Sequence, residues 1–105
     1  DATKRPIMGE IASKLADFVI VTSDNPRTEE PMAIIEQILP GIKKKKCSYH
    51  VEVSRPRAIH YALSNAKTGD VIVLAGKGHE TYQEICGVKH HLDEREVVAE
   101  FFAGE

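Results

Sequence analysis

Apolar residues recur along this chain in two rhythms that alternate from end to end. In one they return every three or four positions, the spacing that lines a single face of a helix. In the other they run together in short unbroken stretches, as in strands covered on both faces. The first helical stretch opens at Pro6, a residue suited to a first helical turn, and carries Ile7, Met8, Ile11, Ala12 and Leu15 on one face up to about Asp17. Phe18 to Thr22 then reads as a continuous apolar strand. A second helix is predicted from about Glu30 to Leu39, with Ile34, Ile35, Ile38 and Leu39 inward and Pro40-Gly41 as its stop. Cys47 to Val53 alternates loosely as a strand, and Pro56 to Ala66 repeats the helical signature with Ile59, Ala62, Leu63 and Ala66 on one side. After the turn Thr68-Gly69-Asp70, Val71 to Ala75 is a second fully apolar strand. A short hairpin across Tyr82 to Leu92, turned near Gly87, leads to a last helix from about Asp93 with Val97, Val98, Phe101 and Phe102 inward.

Strands alternating with helices in this way define an α/β sandwich with a mostly parallel sheet. In such sheets ligands bind beyond the carboxyl ends of the strands, where loops converge and helix N-termini present unpaired N–H groups. Both apolar strands discharge there into unusual loops: Ser23-Asp24-Asn25-Pro26-Arg27 after the first, and Gly76-Lys77-Gly78-His79-Glu80 after the second.

With 105 residues there is room for one domain spanning residues 1–105. Apolar residues are 42% and charged residues 29%, which excludes disordered and low-complexity classes. A net charge of −2 gives no bulk attraction to nucleic acid or to an anionic membrane. No apolar stretch reaches the roughly 18 residues of a membrane span and none resembles a signal peptide, so a cytoplasmic protein is expected. Cys47 and Cys86 form no CxxC pair and are read as partly buried free thiols. The histidines His50, His60, His79, His90 and His91 show no zinc-type helical spacing, and no metal site is assigned. Lys43 to Lys46 read as a solvated loop at a helix exit.

The first loop has the chemistry to hold a zwitterion. Asp24 offers a carboxylate to an ammonium group, Asn25 both donates and accepts, Pro26 fixes the backbone direction, and Arg27 presents a fork that matches a carboxylate. The same residues also fit an Asx-type turn with Arg27 exposed. In the second loop, Gly76 and Gly78 allow close backbone approach and Glu80 adds a further carboxylate, although a plain glycine turn fits as well. The loop lacks the Walker pattern, since no Ser or Thr follows Lys77. His79 and Glu80 have no nucleophile or metal to work with, so binding is the role assigned and no catalytic residue is named. Arg5, before the first helix, would add a cation to the same edge. Two cations and two anions around one space suit a ligand with two carboxylates and two ammonium groups.

Three segments, Thr3-Lys4-Arg5-Pro6-Ile7-Met8-Gly9, Thr22 to Pro31 and Leu74 to Gln83, together resemble the carboxyl-terminal domain of the Mur ligases, in the same order and at similar spacing. The resemblance covers essentially the whole chain and implies a Rossmann-like fold. It also implies the biochemistry of the diaminopimelate-adding branch of that family. There a carboxylate of a UDP-N-acetylmuramoyl dipeptide is phosphorylated by ATP and the amine of meso-diaminopimelate attacks the acyl phosphate, a step of cytoplasmic peptidoglycan synthesis. By the resemblance, Arg5, Asp24, Asn25, Pro26, Arg27, Gly76 and Glu80 contact the amino acid. ATP and magnesium are held mainly by other domains, so these residues by themselves are expected to be inactive and to be excised from a three-domain ligase. The chain departs from the family in carrying Ser54-Arg55 where Asp-Arg is usual, and Ala2 where lysine is usual. A stand-alone binding or regulatory module of the same fold, and a Mur-type domain for another amino acid such as lysine, are the competing readings.

Overall fold

The computed structural model describes residues 4–23, 29–44, 47–75, 81–86 and 88–104. Its elements run α1 (Arg5–Leu15), β1 (Phe18–Val21), α2 (Pro31–Lys44), β2 (Ser48–Val51), α3 (Arg55–Asn65), β3 (Tyr82–Ile85), β4 (Val88–His91) and α4 (Glu94–Ala103). β1 and β2 pair in parallel, Phe18 beside Ser48 and Val21 beside Val51, while β3 and β4 form the expected antiparallel hairpin. The α/β class and the strand–helix alternation are thus those read from the pattern.

Two apolar clusters hold the layers together. Val21, Ile35 and Ile42 form one, with Val19, Ile38, Leu39 and Val51 packed against it, which seats α2 on the β1–β2 pair. Ile59, Leu92 and Val97 form the other, joined by Leu63 and Val98, which binds α3 to α4 and to the end of the hairpin. Caps define where the later helices start. Ser54 accepts from the Arg57 N–H at α3, and Asp93 accepts from the Arg95 N–H at α4.

Five expectations are corrected, the last of them the burial of Cys86. The second helix does not stop at Pro40-Gly41 but runs on to Lys44, so Lys43 and Lys44 stand in its last turn rather than in a loop. Pro40 and Glu36, whose carbonyl loses its helical donor to the proline ring, both lie on the exposed side where water can replace the bond. Gly41 is buried against α1: a Cβ there would lie 1.8 Å from the Pro6 carbonyl oxygen. Tertiary packing therefore carries the helix across two residues that would end it in isolation.

The face of α1 is the second correction. Gly9 and Ser13 are its buried residues, while Ile7, Met8, Ile11 and Leu15 are at least half exposed. Small residues let the backbones of α1 and α2 approach closely, and that contact fixes the rotation of α1. Third, Val71 to Ala75 forms no strand and joins no ladder among the described residues. Val71 and Val73 are 87% and 78% exposed, whereas Ile72 and Leu74, 39% and 37% exposed, line a shallow apolar cleft with Ile59, Leu63 and Val98. A continuous apolar run signals two covered faces, and the described residues cover only one. Fourth, Phe102 is 55% exposed. Phe101 makes the inward contact instead, edge-on to His60, and the next residue on a helix points about 100° away. Cys47 is partly buried, as expected, whereas Cys86 is exposed.

Candidate functional site

The carboxyl end of β1 and the carboxyl end of the 71–75 segment meet on one side chain. Arg55, the first residue of α3, is 6% exposed and spreads its guanidinium between three elements. Its Nε donates to Glu94 Oε2 at 2.7 Å, one terminal nitrogen to the Ser23 carbonyl at 3.3 Å, and the other to the Ala75 carbonyl at 2.8 Å. Ser23 and Ala75 are the residues from which the two candidate loops depart. The expectation that both loops open on one edge is therefore met at their stems. Asp24, Asn25, Pro26, Arg27, Gly76 and Glu80 themselves lie outside the described residues, as do Lys77, Gly78 and His79.

Ser23 is fixed from further directions. Its hydroxyl donates to the Val53 carbonyl at 2.7 Å, which ties the exit of β1 to the exit of β2, and accepts from the Gln83 amide at 2.9 Å, which ties it to β3. On the far side of the second loop, the Thr81 carbonyl accepts from the Leu92 N–H at 2.9 Å.

Arg5 is held at the exit of the first loop. Its two terminal nitrogens donate to the two carboxylate oxygens of Glu29 at 2.9 and 2.8 Å, and one of them also to Gln37 Oε1 at 2.6 Å. The hydrogen bonds from Arg5 keep the Glu29 carboxyl below its ordinary value, against a smaller opposing push from burial. A carboxylate with a lowered folded value contributes stability above its unfolded value and loses it as pH falls through the folded one. Glu29 is accordingly expected to titrate below 4.5 by carbon-13 NMR, and Arg5→Gln to return the midpoint to the ordinary range. Identical midpoints in the two proteins would show that the pair is not formed in solution.

Sequence reasoning gave no role to Arg55, Glu94, Ser23 or Glu29; it noted Arg55 only beside Ser54, which stands where Asp is usual in the family, and Ser23 only as the start of the first loop. One signal was present: Arg55 follows the capping Ser54, placing a cation at the positive end of a helix, where it is out of place without a counter-charge. That counter-charge is Glu94, 39 residues away and beyond the reach of pattern.

Among the described residues, then, Arg55 joins the stems of the two candidate loops of an α/β fold. The sequence profile described as "Mur ligase, glutamate ligase domain" matches residues 1–78, and the chain belongs to that family. It is 60% identical over 100 residues to the UDP-N-acetylmuramoyl-L-alanyl-D-glutamate--2,6-diaminopimelate ligase of Clostridioides difficile (strain 630), covering 95% of this chain and 21% of that protein. The enzyme of the same name from Caldanaerobacter subterraneus subsp. tengcongensis is 60% identical over 103 residues, 98% of this chain and 21% of that protein. A solved structure of a ligase of that name superposes with a TM-score of 0.93 at 42% identity, over 99% of this chain and 21% of that one. The chain therefore spans about a fifth of the length of these relatives.

Proposed function

We propose that this chain is the amino-acid-binding domain of an ATP-dependent, amide-forming ligase that adds meso-diaminopimelate to UDP-N-acetylmuramoyl-L-alanyl-D-glutamate in peptidoglycan synthesis. The observation that carries the reading is the joining of the two loop stems by Arg55, in a chain so similar to diaminopimelate ligases. In this reading Arg27 takes a ligand carboxylate and Asp24 and Glu80 take its ammonium groups. Asn25, Pro26 and Gly76 shape the backbone around them, and Arg5, its charge met by Glu29, braces the exit of the first loop. Held at both ends, the amino acid presents its reacting amine in a fixed direction, and catalysis by this domain is positioning.

Among the described residues no group of three or more His, Cys, Asp or Glu side chains is placed to hold a metal ion. In this reading ATP and magnesium are held mainly by polypeptide outside residues 1–105, and no step is assigned to them here. The exposed apolar face of α1 and the uncovered side of Val71 and Val73 support a chain that works within a longer polypeptide. No helix among the described residues is long and apolar enough to cross a membrane.

The test is an NMR titration of the isotope-labelled chain with meso-diaminopimelate, with L-lysine as control. Shifts confined to Asp24–Arg27 and Gly76–Glu80, seen with diaminopimelate and not with lysine, are expected; equal shifts with both would overturn the specificity. In the complete ligase, Arg27→Ala should raise the KM for the amino acid by about tenfold or more, the worth of a charge-assisted hydrogen bond, with little change in that for ATP. An unchanged amino-acid KM would remove Arg27 from the site.

A further inference from the structure

We infer that Arg55 is a positioning residue for the amino-acid site: its single guanidinium sets the separation of the two recognition loops by gripping the carbonyl from which each departs. The inference rests on the reading of those loops as the binding site. Three features of the side chain carry it.

The first is geometry. A guanidinium is a rigid planar fork, and here its Nε and both terminal nitrogens go to acceptors on three separate elements. The distance between the Ser23 and Ala75 carbonyls is thereby limited to what one fork spans. The second is its electrostatics. Glu94 is the first residue of α4, where the helix dipole favours a carboxylate, while Arg55 is the first residue of α3, where it opposes a cation. Helix stability alone gives no reason for an arginine there, whereas gripping two loop stems does. The third is burial: side-chain exposures of 6% for Arg55 and 10% for Glu94 keep the pair from swinging into solvent. Ser23 is bonded to Val53 and Gln83 as well, so the first stem is anchored independently and Arg55 refers the second stem to it. A lysine in place of Arg55 would keep the charge opposite Glu94 but present a compact ammonium on a flexible stem, which cannot hold both carbonyls at a set spacing.

The experiment compares the isotope-labelled chain with Arg55→Lys and with the double variant Arg55→Met/Glu94→Leu, which removes both buried charges together. Affinity for meso-diaminopimelate, amide hydrogen exchange at Ser23, Glu29, Ala75 and Thr81, and urea stability are measured on each. Both variants are expected to bind at least about tenfold more weakly, the scale set by misplaced binding groups, with faster exchange at both stems. The double variant should do so while keeping its folding stability, which a merely structural role would not produce. Affinity and stem exchange unchanged in a stable double variant would overturn the inference, as would an affinity loss that only tracks lost stability. If Arg55→Lys fails to fold, the double variant carries the comparison alone. If the unaltered chain does not bind the amino acid, the affinity comparison is made in the complete ligase, where an unchanged KM for the amino acid in both variants overturns the inference. Stem exchange then still decides the role of Arg55, faster exchange supporting it and unchanged exchange overturning it.

Discussion

Gly41→Ala should destabilise this protein by about 3 kcal/mol, the upper end of what overpacking a close contact costs, and lower its urea midpoint accordingly. By helix propensity alone the change would stabilise α2 by about 1 kcal/mol, since glycine is a poor residue in a helix interior. Packing reverses the sign. The new Cβ would stand 1.8 Å from the Pro6 carbonyl oxygen, 2.6 Å from the Glu10 nitrogen and 2.9 Å from the Pro6 carbonyl carbon, all backbone atoms that no rotamer change can move. Relief requires α1 to lift away from α2. Gly9 faces the same contact from the other helix, with its Cβ position 2.3 Å from the Ile38 carbonyl oxygen. Gly9→Ala is therefore also destabilising, and the double variant should lose less than the sum, because the first substitution has already parted the helices. A Gly41→Ala protein as stable as its parent, or more so, would mean that α1 does not lie on α2 in solution.

Glu94→Ala should cost about 3 kcal/mol, the penalty for leaving a buried partner charge uncompensated. The Ser23 and Ala75 carbonyls would still accept from Arg55, but neither carries the full negative charge that offsets desolvation of a side chain only 6% exposed. Arg55→Met/Glu94→Leu should by contrast stay within about 1 kcal/mol of the parent, because a well-packed apolar pair needs no compensation. A strong coupling between the two sites in the double-mutant cycle is the diagnostic result. Additive losses would show that the 2.7 Å contact is absent in solution.

Legibility in the sequence followed range. The strand at Phe18, the helix at Ile59 with its Ser54 cap, the hairpin and the Asp93 start of α4 rest on spacing and on residues a few positions apart, and those features are all present. The expectation that α2 would stop at Pro40-Gly41 failed because a local breaker was outweighed by a glycine contact to α1 more than 30 residues away. The inward face of α1 was misread for a related reason. Hydrophobicity names the face that wants cover, whereas the close approach of two backbones selects the face with no side chains in the way, here Gly9 and Ser13. For Val71 to Ala75 the apolar run predicted a strand covered on both faces, but a ladder needs a neighbour that no run of residues can supply by itself.

The sequence by itself determined the α/β class, the order of the helices and of the four strands present, the family and the two polar loops that follow apolar runs, because each depends on residue type and near spacing. Only the tertiary structure decided which faces are buried and that Arg55 meets Glu94 and both loop stems. It also decided that Arg5 reaches Glu29. Those pairings join residues 24 and 39 positions apart, and their partners are chosen by how the layers stack, a choice that no local pattern records.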